Sequence, residues 1–177
     1  MKLKSIYTSV IAALALTAVA HAAHAQDIKL GYNGDLSASP SAQSGQAAVL
    51  GMEAAIADIN AAGGVLGRKL TLVTRDDTSA PPRSIQNMSD LIDRENVVAV
   101  FGPTNSGNAM AWKHIANQKK IPVIGNVGSG TDITKPSSPN ADNYMFRVSM
   151  VDREQVAALM AYICLLYTSD AADEGLG

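Results

Sequence analysis

The chain contains few of the residues that build disulfide frameworks, metal centres and histidine-based catalytic sites. It has one cysteine, Cys164, and three histidines, of which His114 alone lies beyond the N-terminal segment. One cysteine forms neither an intrachain disulfide nor a CxxC redox or zinc motif. His114 has no evident acidic partner, and no G-x-S-x-G nucleophile motif accompanies it. The sequence therefore offers no metal site, implies no cofactor and favours a protein that is not an enzyme.

An excess of charge of one sign is also lacking. The 14 lysines and arginines nearly balance the 16 aspartates and glutamates, so the formal net charge is −2. Proteins that bind nucleic acid or anionic membranes electrostatically carry a basic excess or a basic patch. The near balance gives no reason to expect either partner here.

An apolar run, Val10 to Ala20, follows two lysines near the N-terminus. His21 and His24 interrupt it before it reaches the roughly 20 apolar residues that a membrane-spanning helix needs. A basic start, an apolar run and small residues at the end are typical of a secretory signal peptide. We expect residues 1–25 to be removed after Ala25 and the mature protein to be periplasmic. No cysteine follows the run to carry a lipid anchor.

The segment from Gly45 to Asp77 has the clearest structural pattern in the chain. Its apolar residues recur at three- and four-residue steps and predict one buried stripe on a helix, made by Val49, Met52, Ile56 and Ile59. Gly63 and Gly64 are expected to end this helix, because glycine adopts the left-handed conformation that closes a helix. Leu70 to Thr74 follows as a β-prone run, so the unit is strand, helix, strand.

The rest of the chain repeats this alternation and predicts an α/β fold, a doubly wound and mostly parallel sheet flanked by helices. The five predicted strands are Ile28–Tyr32, Lys69–Thr74, Val97–Phe101, Pro122–Ile124 and Tyr144–Val148. The predicted helices are Gly45–Ala62, Arg83–Arg94, Ser106–Gln118 and one that begins at Asp152. Pro81 and Pro82 suit the first turn of the second helix, and Asp152 and Gln155 have capping-box spacing.

Ligands of open α/β sheets bind outside the carboxyl ends of the strands, so the loops after the strands are the candidate site. The loop GPTNSGN follows the third strand, and Ser106 is expected to cap the next helix with its hydroxyl. The N–H groups at this helix N-terminus would then face the crevice and could hold a carboxylate. A plain N-cap serine without a ligand is the alternative.

A second loop of interest, GNVGSG from Gly125 to Gly130, follows the fourth strand. Its glycines allow the backbone to approach a small ligand closely. The spacing G-x-x-G-x-G differs from the dinucleotide fingerprint, and no P-loop lysine follows it. The alternative is a flexible connector to the next segment.

Four segments in the expected order resemble the leucine/isoleucine/valine-binding family of periplasmic proteins, the substrate-binding subunits of ABC importers. They are Asp35–Gln46, Ala54–Leu70 with its following Asp76 and Asp77, Val97–Gly107 and Lys119–Gly130. The resemblance extends from Asp27 to Ile163. It implies the first lobe of a type I periplasmic binding protein over residues 26–150, and the start of a crossover helix to a second lobe over 151–163.

The resemblance also implies a function. A protein of this family captures a small amino acid, here of the branched-chain type, or a related carboxylate or amide. It closes two lobes around the ligand and delivers it to an ABC permease in the inner membrane. When full length, it is expected to be a monomer. A periplasmic ligand-sensing module for a signalling receptor is an alternative function, and a secreted enzyme is a weaker one.

Site residues follow from the same resemblance. Ser106 and Ser129 match positions that bind the ligand carboxylate, and Val127 matches one whose backbone carbonyl accepts from the ligand ammonium. Val127 departs from the usual alanine, which a backbone contact tolerates. Tyr32 and Ser44 match positions of the crevice wall.

The sequence changes character at Cys164, where the letters CLLYTSDAADE begin. They correspond to the translation of a transposase end used in sequencing libraries. We therefore expect residues 164–177 to be adapter-derived, with a natural divergent terminus as the alternative. A first lobe without its second lobe is expected to expose apolar surface.

Overall fold

The computed structural model describes residues 26–173, with side chains through residue 167. The expected signal peptide lies outside the described residues, as do the last four residues of the chain. The strands are β1 (Ile28–Gly34), β2 (Leu70–Asp76), β3 (Ala99–Phe101), β4 (Val123–Gly125) and β5 (Met145–Arg147). The helices are α1 (Ala42–Ala61), α2 (Pro81–Asp93), α3 (Ser106–Lys119) and α4 (Asp152–Asp173), with a 3-10 helix at Thr131–Ile133.

The five strands form one parallel sheet in the order β2-β1-β3-β4-β5. Tyr32 of β1 lies opposite Thr74 of β2 and Phe101 of β3. The order reverses direction at β1, which is the mark of a doubly wound sheet. The predicted fold class is therefore confirmed, and all carboxyl ends of the strands meet at one edge.

Helices cover both faces of the sheet. On one face, α2 and α3 pack on the strands around a buried core of Met88, Leu91, Val97, Val100, Ala109, Trp112, Ala116, Val123, Ile133 and Met145. Successive strand residues point to opposite faces, so Leu30 and Phe101 face the other way. There they line an apolar hollow with Met52, Ile56 and Ile59 of α1. Three residues of the predicted stripe of α1 thus face the sheet, but the stripe is not fully buried, since Ile59 is 39% exposed.

The end of α1 is as predicted, but its start is not. Gly63 and Gly64 have φ of +104° and +76°, and a Cβ on Gly64 would lie 2.1 Å from the carbonyl oxygen of Arg68. The helix begins at Ala42, three residues before the predicted Gly45. Asp35 causes this difference, because its carboxylate binds the backbone N–H groups of the next residues and turns the chain early.

The prediction for the start of α2 is confirmed, whereas the predicted capping of α4 is not. Pro81 is the first residue of α2, as expected from its missing N–H. The predicted capping box of α4 is wrong. The backbone N–H of Asp152 donates to the Ser129 carbonyl at 2.9 Å, and the Gln155 side chain donates to the Met150 carbonyl at 2.9 Å. Asp152 is the first residue of α4. The Asp152 side chain therefore does not occupy the cap position, which precedes the helix.

Large apolar side chains are exposed at several places in the described residues, among them β5 and α4. Phe101, Ile124 and Phe146 form a row across β3, β4 and β5, and Phe146 is 53% exposed. Helix α4 exposes large apolar side chains, namely Val156, Leu159, Met160, Tyr162, Leu165, Leu166 and Tyr167. Within residues 26–173, no helix combines the length and the apolar character that a membrane crossing requires. The expected exposed apolar surface is thus present.

Candidate functional site

Ser106 lies at the centre of the crevice edge, between the loops after β3 and β4. It is the first residue of α3, and Asn105 occupies the cap position. The Ser106 Oγ accepts a hydrogen bond of 3.1 Å from the backbone N–H of Gly130. The expectation that Ser106 caps α3 is therefore wrong, because its hydroxyl turns away from its own helix and binds the neighbouring loop.

The N-terminus of α3 keeps its donors free of side-chain caps. Asn105 makes no capping hydrogen bond with its side chain. The first N–H groups of any helix lack partners within the helix, and the helix dipole adds partial positive charge at this end. The first turn of α3 therefore retains the donors and the potential that bind a carboxylate.

Arg147 holds the GNVGSG loop in place. Its guanidinium donates to the carbonyls of Ser129 at 2.9 Å and Gly130 at 2.6 Å, with a longer contact of 3.5 Å to Gly128. The partners of Arg147 are thus backbone carbonyls of the neighbouring loop. Arg153, in contrast, forms a 2.8 Å ion pair with Glu154.

Other contacts fix the same loop from three sides. The Gly128 N–H donates to the Pro103 carbonyl at 3.3 Å, and the Ser149 hydroxyl donates to the Gly128 carbonyl at 3.2 Å. The Ser129 carbonyl also accepts from the N–H of Asp152, at the start of α4. The loop is thus a braced structure and not a flexible connector. Val127 is half-buried within it.

An open hollow of about 410 Å³ lies beside Ser106 and Gly130. Two carboxylates, Asp132 and Asp152, line the same hollow. It is large enough for a small molecule. Donors of the α3 N-terminus and anionic side chains thus border one space.

Tyr32 lies buried beneath the crevice, whereas Ser44 is exposed at its mouth. Tyr32 is fully buried, and its hydroxyl lies 3.2 Å from Thr104 Oγ1. Burial raises the pKa of this phenol, although the Thr104 and Asn126 side chains oppose the rise. Tyr32 therefore remains neutral and supports the floor beneath the loops. Ser44 is exposed in the first turn of α1, at the crevice mouth.

Asp35 organises the loop after β1, and the sequence reasoning missed it. Its carboxylate accepts backbone N–H groups from Ser37 at 3.1 Å, Ala38 at 2.9 Å and Ser39 at 3.0 Å. Burial alone would raise the pKa of this carboxyl, but the hydrogen bonds from Ser39, Ala38 and Ser37 outweigh it and lower the pKa. An aspartate before a run of small polar residues is a turn signal that could have revealed this role.

Asp76 and Asp77 brace the end of β2. Asp76 accepts the Leu36 N–H at 3.0 Å and the Ser37 hydroxyl. Asp77 is fully buried and accepts the Ser84 hydroxyl at 2.9 Å and the Asn108 amide at 2.7 Å. Both carboxylates are therefore occupied by protein donors.

Asn105 joins three loops at the crevice mouth, which the sequence reasoning also missed. The Ser41 hydroxyl donates to Asn105 Oδ1 at 3.3 Å, and Asn105 Nδ2 donates to the Ser79 hydroxyl. Asn105 itself is half-buried, and so are both serines. The loops after β1, β2 and β3 are thereby held together by polar side chains.

Comparison with known proteins places these observations in context. Residues 27–165 match the family model described as periplasmic binding protein. The Leu/Ile/Val-binding protein BraC3 of Rhizobium johnstonii is 26% identical over 163 residues, which is 92% of this chain and 42% of that protein. The Leu/Ile/Val-binding protein homolog 7 of Brucella suis is 38% identical over 119 residues, 67% of this chain and 28% of that protein.

A solved structure agrees with the fold. The branched-chain amino acid transporter substrate-binding protein LivJ from Streptococcus pneumoniae, in complex with isoleucine, superposes with a TM-score of 0.64 and 29% identity. The match covers 71% of this chain and 34% of that one. The chain thus spans less than half the length of the proteins it matches.

Proposed function

Because the chain belongs to the periplasmic binding protein family, we propose that it is the solute-binding subunit of an ABC importer. It captures a small amino acid of the branched-chain type, or a related carboxylate or amide, and delivers it to a permease in the inner membrane. It acts in the periplasm and carries out no chemical reaction. At full length it is a monomer that closes around its ligand.

One observation carries the ligand proposal, the junction of Ser106 and Gly130. Their hydrogen bond brings the N-terminus of α3 and the loop after β4 to one place. A carboxylate there accepts from helix N–H groups and from the hydroxyls of Ser106 and Ser129. The carbonyl of Val127 and the carboxylate of Asp152 are available to an ammonium group. The two charged ends of an α-amino acid thus have complementary groups on the first lobe and at the start of the crossover helix.

The organisation of the chain belongs to the same proposal. Residues 1–25 form the signal peptide and residues 26–150 the first lobe. Residues 151–163 begin the crossover helix, and residues 164–177 are adapter-derived. The apolar row of β3 to β5 and the exposed face of α4 support a lobe that is normally covered by further chain.

Carboxylate capture is tested on the purified chain by NMR titration at millimolar ligand. We expect leucine to shift backbone amide signals near Ser106 and Gly130. Isoamylamine, which lacks the carboxylate, should leave them unchanged. Ser106→Ala should weaken leucine binding roughly tenfold, because it removes a hydrogen bond to a charged group.

The matched control is Ser138→Ala, an exposed serine in a surface loop, which should bind leucine as the unmodified chain does. Equal binding of leucine and isoamylamine would contradict carboxylate capture. So would equal losses in the Ser106→Ala and Ser138→Ala variants. If neither leucine nor any other amino acid binds, the proposed function is wrong.

A further inference from the structure

The loops after β1, β2 and β3 carry hydroxyl and amide groups where an aliphatic ligand would need an apolar wall. They comprise residues 35–41, 77–80 and 102–105. Leu36 is their only branched aliphatic residue, it is half-buried, and none of the three loops contains an aromatic residue. Residues of three loops, and not one residue alone, therefore make this part of the crevice polar.

Asn105 is the residue through which a ligand would meet this surface. It directly precedes Ser106, so we infer that the side chain of a ligand whose carboxylate is held at the α3 N-terminus extends past Asn105, beyond the hollow beside Ser106 and Gly130. The contacts with Ser41 and Ser79 join it to the loops on the β1 and β2 side. Since Asn105 makes no capping hydrogen bond to α3, its side chain is not committed to its own helix.

The hydrogen-bonding capacity of Asn105 is only half used. A primary amide offers two N–H donors and an oxygen with two lone pairs. Among the residues that the structure describes, Ser79 takes one donor and Ser41 one lone pair. One donor and one acceptor site remain on a half-exposed group whose orientation is fixed by its two partners. A methyl group placed against that amide would leave both sites without a partner, which is unfavourable once water is excluded.

We propose that Asn105, oriented by Ser41 and Ser79, selects an amino acid whose side chain bears a hydroxyl or an amide over one with a branched aliphatic side chain. This inference rests on the proposed function and ranks the ligands named there: amino acids with a hydroxyl or an amide bind more tightly, and the branched-chain amino acids bind more weakly. A hydroxyl or an amide both donates and accepts, so it complements the two free sites of Asn105. The aliphatic isostere of the same ligand complements neither.

The test uses two pairs of ligands with nearly equal shape, threonine against valine and asparagine against leucine. Titrations of the purified chain followed by NMR give the four dissociation constants. We expect threonine and asparagine to bind roughly tenfold more tightly than their aliphatic partners, as one matched polar contact predicts. In Asn105→Leu the preference should disappear or reverse, while the carboxylate dependence remains.

Asn140→Leu is the control, because Asn140 is exposed in the loop before β5 and its replacement should keep the polar preference. Amide spectra of each variant show whether the lobe remains folded, and Asn105→Ser provides a smaller polar replacement if Asn105→Leu does not fold. Valine and leucine binding as tightly as threonine and asparagine would overturn this inference alone. The same holds for a preference that survives in Asn105→Leu or Asn105→Ser. Absence of binding by all four amino acids would overturn the proposed function, and this inference with it.

Discussion

The guanidinium Nη2 of Arg147 lies 2.6 Å from the carbonyl oxygen of Gly130. Arg147 ends β5, and Gly130 ends the loop after β4, so this contact joins two neighbouring strands at the crevice edge. Gly130 in turn donates to Ser106. Arg147 at the sheet edge thus helps to position the loop that meets the N-terminus of α3.

Replacing Arg147 tests this positioning. Arg147→Met removes charge-assisted hydrogen bonds to partly buried carbonyls, so we expect a loss of about 2–4 kcal/mol in unfolding free energy. Ligand-induced shifts at Ser106 should also weaken. Arg153→Met is the control, since Arg153 is exposed and, within the described part of the chain, pairs only with its neighbour Glu154, and its effect should stay within about 0.5 kcal/mol. Equal effects of the two replacements in urea unfolding would contradict the role of Arg147.

The buried polar cluster behind the crevice gives a second prediction. Ser84 is fully buried, donates to Asp77 and accepts from the Trp112 indole at 3.0 Å. Ser84→Ala leaves both groups short of a partner, and we expect a cost of about 1–3 kcal/mol. Trp112 is the only tryptophan, so its fluorescence reports urea unfolding directly. Ser89→Ala, in the same helix, should change the urea midpoint far less, and an equal change would contradict the prediction.

The sequence predicted the order of strands and helices along the chain, and most of their limits, because hydrophobic periodicity and glycine stops are local signals. The start of α1 and the capping of α4 were missed for a different reason. Each depends on a contact between distant parts of the chain or on a side chain that folds back on its own loop, as Asp35 does before α1. Ser129 acts similarly before α4, through a carbonyl that no residue pattern reveals.

The candidate site could also be predicted only in part. The loops around Ser106 and Ser129 could be located from the sequence, because they follow strands of a parallel sheet. The directions in which the side chains point could not be predicted from the sequence. Ser106 binds Gly130, Arg147 binds carbonyls and Asn105 joins three loops, and each of these depends on tertiary distances. Whether Tyr32, Ser44, Val127 and Ser129 contact a ligand stays a prediction.

Asp35 should make stability depend on pH in the acid range. Its pKa is lowered in the folded state, so its contribution is complete above the unfolded value of about 3.9 and is lost as pH falls through the folded value. Asp35→Asn should therefore cost about 1–3 kcal/mol at pH 7, because an amide accepts fewer of the loop N–H groups. The difference from the unmodified chain should shrink toward pH 3. Urea unfolding at both pH values measures this, and a difference that is constant with pH would contradict it.

Two glycines of α1 provide a test of how the first loop packs on the helix. A Cβ on Gly45 would lie 2.0 Å from the Asp35 carbonyl oxygen, whereas a Cβ on Gly51 would meet no atom within 4 Å. Gly45→Ala must displace the loop, and we expect a loss of about 1–3 kcal/mol or more. Gly51→Ala should instead gain about 0.5–1 kcal/mol, since alanine has the higher helix propensity.

The opposite signs make this pair informative, because both replacements add the same methyl group to the same helix. Thermal unfolding of the two variants gives both values under one set of conditions. If Gly45→Ala were as stable as Gly51→Ala, the loop after β1 would not rest on α1. The early start of α1 would then need a cause other than the turn at Asp35, and the placement of Ser41 beside Asn105 would lose its support.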